Sequence, residues 1–327
     1  MAEALLVKEA GAVAAPASGA HPFWRRLRTR RSALVAAAVV ALLVLIAFAA
    51  PLLAGIEGQD PTTYHPSLVD SATGGVPLGS FGGISAEHWL GVEPLTGRDL
   101  FARVVYGARV SLGVALGATL LQVVIGVVIG LAAGLGNRFV DQAFSRVTDV
   151  MVALPVMVAA LGALAVVPAG FPRPVLIALL VGLVGWTHIS KIVRAKTLAL
   201  KSLDHVAAAR LSGWGSWQIA RRELLPALAA PVITYAVLLF PANIVVEAAL
   251  SFLGVGIKPP TPSWGQMLSD AGTWYQAAPT YLLIPALLLF VTVLALTVLG
   301  EGVRTALDPR AASRLRIGTG AKKEAGA

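Results

Sequence analysis

From Ala33 to Ile56 the chain carries no charged residue, and about thirteen of these positions are Val, Leu, Ile or Phe. Each such side chain favours bilayer insertion by roughly 0.3 to 0.6 kcal/mol, so the run as a whole favours a spanning helix by several kcal/mol. Further uncharged runs cover 110–137, 150–172, 174–190, 224–246 and 271–300. At about 1.5 Å per residue, each can cross a hydrocarbon core about 30 Å thick. The pattern predicts an all-α integral membrane bundle of six spans, at about 33–56, 108–135, 150–171, 174–191, 226–250 and 281–302, the fourth being the shortest.

Composition points the same way. The chain is 57% hydrophobic and 13% charged, with a mean hydropathy of +0.77, whereas a soluble domain carries roughly 25% charged residues. Its 327 residues leave room for one bundle with modest loops and no large second domain. There are no cysteines, which excludes disulfides, thiol nucleophiles and Cys-ligated metals. The five histidines are dispersed, H-E-x-x-H is missing, and no Lys follows a Gly. Without a zinc motif or a phosphate-cradling Walker A loop, the chain is expected to be no enzyme and to hold no metal or cofactor of its own.

The net charge of +9 would suit nucleic acid, but in a membrane chain basic residues mark the cytoplasmic side. With the N-terminus inside, only Arg98, Arg103, Arg109, Arg173 and Lys258 fall outside, and the other 21 of the 26 basic residues fall inside. Both termini are then expected in the cytoplasm, with external segments at 57–106, near Phe171 and at 254–281, and no nucleic-acid partner is implied. Residues 1–31 are expected to form a cytoplasmic tail without a signal peptide, ending in a basic stretch. There Phe23, Trp24 and Leu27 alternate with arginines, which fits a helix lying on the anionic leaflet or a simple positive-inside stop. Residues 32–304 form the transmembrane domain, with a cytoplasmic loop at 192–225, and 305–327 a second cytoplasmic tail.

Within the second span, Gly113 and Gly117, then Gly126, Gly130 and Gly134, recur at four-residue spacing, a pattern that lets helix backbones approach closely in lipid. The external segments are rich in Pro and Gly, which predicts rigid turns. Glu247 is the acid furthest inside a span. A charge there costs about 2.5–3.5 kcal/mol at the bilayer centre and marks a functional candidate. Its place late in the fifth span favours a structural role, accepting bonds from helix ends or the next external loop, over substrate contact. Arg146 and Asp149 are expected to anchor the inner start of the third span.

The stretch from Lys191 to Pro226 holds two short helical patterns separated by Gly213, Trp214 and Gly215. Ser202 or Asp204 can cap the first helix, Gly213 can end it in the left-handed conformation, and Ser216 can cap the second. Ala207, Ala208 and Ala209 give the first helix a small-sided surface suited to a cleft on another protein. The alternative is an amphipathic connector held to headgroups by Lys201, Arg210, Arg221 and Arg222.

Ala207-Ala-Ala-Arg-Leu-Ser-Gly213 followed by Leu225-Pro226 resembles the Glu-Ala-Ala motif of ABC importer permeases, with Ala207 in place of Glu and Glu223 in place of an apolar residue. Leu95-Thr-Gly-Arg-Asp-Leu100, Tyr106-Gly-Ala-Arg-Val-Ser-Leu112, Glu247-Ala-Ala-Leu-Ser-Phe-Leu-Gly254, Pro259-Pro-Thr-Pro-Ser-Trp-Gly265 and Ala306-Leu-Asp-Pro-Arg310 are similar to segments of the C-type permease subunit of dipeptide and oligopeptide importers. The resemblance implies a type I ABC importer (MetI-like) permease fold in the inner membrane. It also implies that Asp204, Ala207, Ala208, Ala209, Gly213, Leu225 and Pro226 form an ATPase-coupling loop. The implied partners are a second homologous permease subunit in a heterodimer, two ATPase subunits that bind the ATP, an extracytoplasmic substrate-binding protein and membrane lipid. The implied cargo is di- or oligopeptide, with nickel or oligosaccharide as alternatives within related systems. A self-sufficient secondary transporter or channel would instead need ion-coupling acids or broken helices near mid-membrane.

The orientation is testable in this cysteine-free chain. In intact cells Ser71→Cys and Ser263→Cys should react with an impermeant thiol reagent, and Ser202→Cys should not; external labelling of Ser202→Cys would reverse the topology.

Overall fold

A computed structural model describes residues 21–168 and 170–307. The two terminal tails expected from the sequence lie outside the described residues, apart from 21–31 and 305–307. The helices are α1 (His21–Arg28), α2 (Arg31–Glu57), α3 (Leu100–Leu135), α4 (Arg138–Ala153), α5 (Val156–Val166), α6 (Arg173–Gly185), α7 (Thr187–Leu200), α8 (Asp204–Leu211), α9 (Ser216–Ile219), α10 (Leu225–Phe252), α11 (Trp264–Ala271) and α12 (Pro279–Leu307). Five helical runs among the described residues are long and apolar enough to cross a membrane, and six if the bent pair α4–α5 counts as one crossing.

The third span departs from the straight helix expected at 150–171. Its two halves, α4 and α5, meet at an angle of 80°. Pro155 disfavours helical backbone at the residue before it, and Leu154 is indeed extended, with ψ 118°. The fourth span is also longer than its uncharged run. α6 and α7 are continuous from Arg173 to Leu200, because a helix propagates through charged residues once they have partners. Here the Arg194 guanidinium pairs with Asp141 and lies over the Phe144 ring.

α3 is the central post and packs against α2, α6, α7 and α10, while α12 closes the bundle against α10 and α2. With 36 residues it is about 54 Å long, well beyond the hydrocarbon thickness. Its N-terminal end therefore projects beyond the core, in the segment expected to be external. The glycines on α3 divide into two groups. A Cβ on Gly126, Gly130 or Gly134 would lie within 2.8 Å of α7 atoms, whereas one on Gly113 would meet nothing within 4 Å. The inner three therefore set the α3–α7 approach.

The segment between α2 and α3, expected to be external, is mostly turns around a two-stranded antiparallel ladder, β1 (Val69–Asp70) against β2 (Val76–Pro77). The segment between α10 and α12 contains α11, a helix that its Pro-rich composition hid. Ser263 caps it by accepting the Gln266 amide at 3.2 Å. Ser263 is fully buried, so it cannot serve as a labelling site; exposed Thr273 replaces it in the topology test. On the other side, Leu27 of α1 packs with Ala33 and Ala306 while Trp24 stays exposed.

Gly130→Ala should destabilise the bundle by about 1–3 kcal/mol through overpacking, and Gly113→Ala should leave it unchanged. Melting of the detergent-solubilised variants checks both.

Candidate coupling loop and external cap

On the face where α7 ends and α10 begins, the chain makes a compact excursion. Leu203, not Ser202 or Asp204, occupies the cap position of α8 and gives no side-chain bond. The Ser202 hydroxyl instead donates to the Ala199 carbonyl at 2.9 Å. Asp204 opens the helix in its first turn, where a carboxylate suits the helix dipole. Gly213 takes a left-handed φ of +82°, and the amides of Gly213 and Trp214 close back on the carbonyls of Arg210 and Ala209, which stops α8. Gly215, not Ser216, precedes α9 as its cap. The turn Ala220–Leu224 is π-helical and leads directly into α10.

Val206 is fully buried against Ile189, Val193, Ile219 and Leu224 and anchors α8 to the membrane helices. Ala209 is half-buried on the same side, whereas Ala207 and Ala208 are exposed. Leu211 is 91% exposed and Trp217 75%, so the excursion presents an apolar, small-sided outer surface. Leu225 is half-buried and Pro226 is exposed. Pro226 sits at the start of α10, directly after the π-helical turn. Glu223 faces His205 at 3.8 Å, and Arg222 lies over Trp214.

At the opposite end, the motif segments 106–112, 247–254 and 259–265 meet around Glu247, which is fully buried. Ser251 donates to Glu247 Oε1 at 2.9 Å and accepts the Ile257 amide at 3.1 Å. The hydroxyls of Ser111 and Ser263 face the same carboxylate. Each also accepts a backbone amide, Ser111 from Trp264 and Ser263 from Gln266, which leaves its proton free to donate. Oε2 makes no direct hydrogen bond. One carboxylate thus gathers α3, α10 and the start of α11. The backbone is close here too: a Cβ on Gly265 would lie 2.5 Å from Ala248, and one on Gly256 2.5 Å from the Ser251 hydroxyl. The indole of Trp264 donates to the Val104 carbonyl at 3.1 Å.

The sequence did not single out the ionic layer above this knot. Arg103 is fully buried and donates to the carbonyls of Pro61 and Pro260 and to Gln266 Oε1. Beside it, Glu93 accepts from Arg98, Thr96 and Tyr281. Burial pushes the Glu93 carboxyl up, but the Arg103 and Arg98 guanidiniums and the Tyr281 hydroxyl outweigh it and hold it below the usual range. Also unforeseen is a mid-bundle cluster in which Asn243 and Gln122 bond each other, Asn243 donates to Thr119, and Gln122 donates to the Val181 carbonyl. The signal was present as amides inside uncharged runs, since such side chains bond across helices in lipid. Among the described residues, no group of three or more His, Asp or Glu is placed to hold a metal.

A bundle of long apolar helices that keeps polar side chains such as Glu247, Gln122 and Asn243 buried inside it is that of an integral membrane protein. The chain belongs to the family described as binding-protein-dependent transport system inner membrane component, whose model matches residues 126–313, and it is therefore an ABC importer permease. Residues 20–71 also match the N-terminal TM domain of oligopeptide transport permease C. Similar proteins include the glutathione transport system permease protein GsiD of Shigella flexneri serotype 5b, 37% identical over 89% of this chain and 90% of that protein. GsiD of Escherichia coli O6:K15:H31 is 36% identical over the same shares. A chain of the MetNI methionine ABC transporter, in an inward-facing structure, superposes with a TM-score of 0.52 at 17% identity, over 63% of this chain and 96% of that one. That likeness carries the MetI-like fold.

Glu247→Ala should leave the serine hydroxyls unpaired and destabilise the external cap by on the order of 3 kcal/mol, while Glu247→Gln, which keeps an acceptor oxygen, should lose much less. Melting of the detergent-solubilised variants reports both.

Proposed function

We propose that this chain forms half of the pore of an ATP-driven importer of short peptides, and that the α8 excursion docks into an ATPase subunit. The observation that carries the docking is the two-sidedness of α8: Val206 fastens one face to the membrane helices, and Ala207, Ala208 and Leu211 leave the other open. An exposed apolar surface held rigidly at a fixed place is what a protein partner needs. The excursion lies between basic residues such as Lys201, Arg210 and Arg221, so the positive-inside bias supports a cytoplasmic position for it and for both termini.

With no Walker A loop in the sequence, the ATPase sites belong to partner subunits. A second permease subunit supplies the other half of the pore, and an external binding protein delivers cargo to the cap. The peptide assignment is supported by the oligopeptide-permease match at 20–71 and by relatives named for glutathione transport, glutathione being itself a short peptide.

Gly213→Val should abolish uptake while the protein still inserts. A Cβ there meets nothing within 4 Å, so the damage comes from forcing a β-branched residue into positive φ. Ala208→Trp should act alike by blocking the docking face, and Ala207→Glu should preserve or strengthen coupling. Peptide uptake by the complex co-expressed with its partners is the readout. Normal uptake by both disruptive variants would return the loop to the role of a headgroup-bound connector.

A further inference from the structure

Glu57 closes α2 and is the first charged residue after the uncharged run that predicts the first span. Its Oε1 accepts the Trp89 amide at 2.8 Å, whereas its Oε2 is shut off from water and receives no hydrogen bond. An ionised oxygen in that position would be a buried acceptor without a donor, which costs free energy. The group beside it is an acid as well. The Asp99 carboxylate lies against Glu57 and is fully buried. Consecutive residues bring the two acids together, since His88 bonds Asp99 and Trp89 bonds Glu57.

Asp99 is held as the anion. Its Oδ1 accepts the Ala102 amide at 2.6 Å as the cap of α3, and its Oδ2 accepts from His88 Nδ1 at 2.8 Å. Like charges at one site disfavour ionisation of both groups, so one carboxyl keeps its proton. The donor-free Oε2 identifies Glu57 as that carboxyl, because as a hydroxyl it gives its proton to Asp99 and is no longer orphaned. Burial raises the Glu57 carboxyl to about 7 against the pull of the Trp89 amide, and the Asp99 charge adds to the rise. Of the other ionisable groups in these turns, His65 sets its ring 5.4 Å from that of His88 and Asp60 accepts from Thr62. Arg98 serves Glu93, and Glu87 is exposed.

We propose that Glu57 and Asp99 form a proton-binding site on the face expected to be external, where one shared proton clasps the end of α2 and the turn at 85–91 to the start of α3. A glutamate in the unfolded chain releases its proton near 4.5, whereas Glu57 keeps it to about 7. The clasp therefore holds fully below about 4.5, weakens as pH rises and is lost above about 7. The two carboxylates then repel each other and the Trp89 amide loses its place. The site makes no use of the α8 excursion, so clasp and import can fail separately.

The test is hydrogen exchange, read by mass spectrometry on the permease complex in nanodiscs between about pH 5 and about pH 8.5, with labelling times scaled for the intrinsic pH dependence of exchange. Protection of the 85–92 backbone should fall at least about tenfold across that range in the wild type, because each pH unit between the two Glu57 values changes it by up to about tenfold. Glu57→Gln puts an uncharged donor and acceptor in the same places and should stay protected at both ends of the range. Glu57→Ala should be weakly protected at both, and Glu87→Gln, which alters an exposed neighbouring acid, should behave as the wild type. A pH-independent wild type, a Glu57→Gln variant that keeps the wild-type dependence, or loss of that dependence in Glu87→Gln would each overturn the site.

Discussion

A bilayer offers no water to a polar group, so whatever polarity a spanning segment contains has to be satisfied by the protein itself. In this chain that constraint is concentrated on Glu247. Its carboxylate lies fully buried near the C-terminal end of α10, with the hydroxyls of Ser251, Ser111 and Ser263 turned towards it. Those hydroxyls are simultaneously pinned by backbone amides from the following loop and from α11. Because a hydroxyl has one proton to give, using its oxygen for an amide directs that proton to the carboxylate. The cap is therefore held to the bundle by directional bonds where apolar attraction between helices is weak. Trp264, Gly265 and Gly256 then let the backbones close over it.

α10 joins this knot to the α8 excursion. From Ser216 to Phe252 the chain is helical without a break, 37 residues in all and about 55 Å end to end. The excursion is rooted in it through Ile219 and Leu224, and the cap is rooted in it through Glu247. Movement of either end moves a common rod, whose interior prolines, Pro231 and Pro241, are the places where it can flex. Asn243 ties the middle of the same rod to α3 through Gln122 and Thr119. In the proposed importer, this connects the face that receives ATPase contacts to the face that receives cargo.

Much of this was legible in the sequence. Uncharged runs locate spans because a charge in lipid is costly, and the left-handed turn at Gly213 follows from a glycine between two helical patterns. The break in the third span was hidden because hydropathy is blind to backbone: Leu154 and Pro155 are as apolar as their neighbours, and only the steric rule for the residue before proline separates them. The long α7 was missed for the opposite reason, since Lys191 ends an uncharged run but not a helix. Caps were displaced by one residue, to Leu203 and Gly215, because backbone geometry at a turn outranks side-chain preference when carbonyls such as that of Ala199 compete for the hydroxyl. Arg103, Gln122 and Asn243 escaped because their hydrogen-bond partners are 42 to 163 residues away, a distance no local pattern spans.

Docking of the excursion on an ATPase is the claim on which the proposed mechanism turns. A photo-crosslinking amino acid at Leu211, whose side chain is 91% exposed and anchors nothing in the bundle, interrogates it directly in membranes containing the assembled complex. The account predicts a light-dependent adduct with the ATPase subunit, located by mass spectrometry to that subunit's membrane-facing surface. Crosslinks to lipid alone, with the ATPase present and bound, would contradict it.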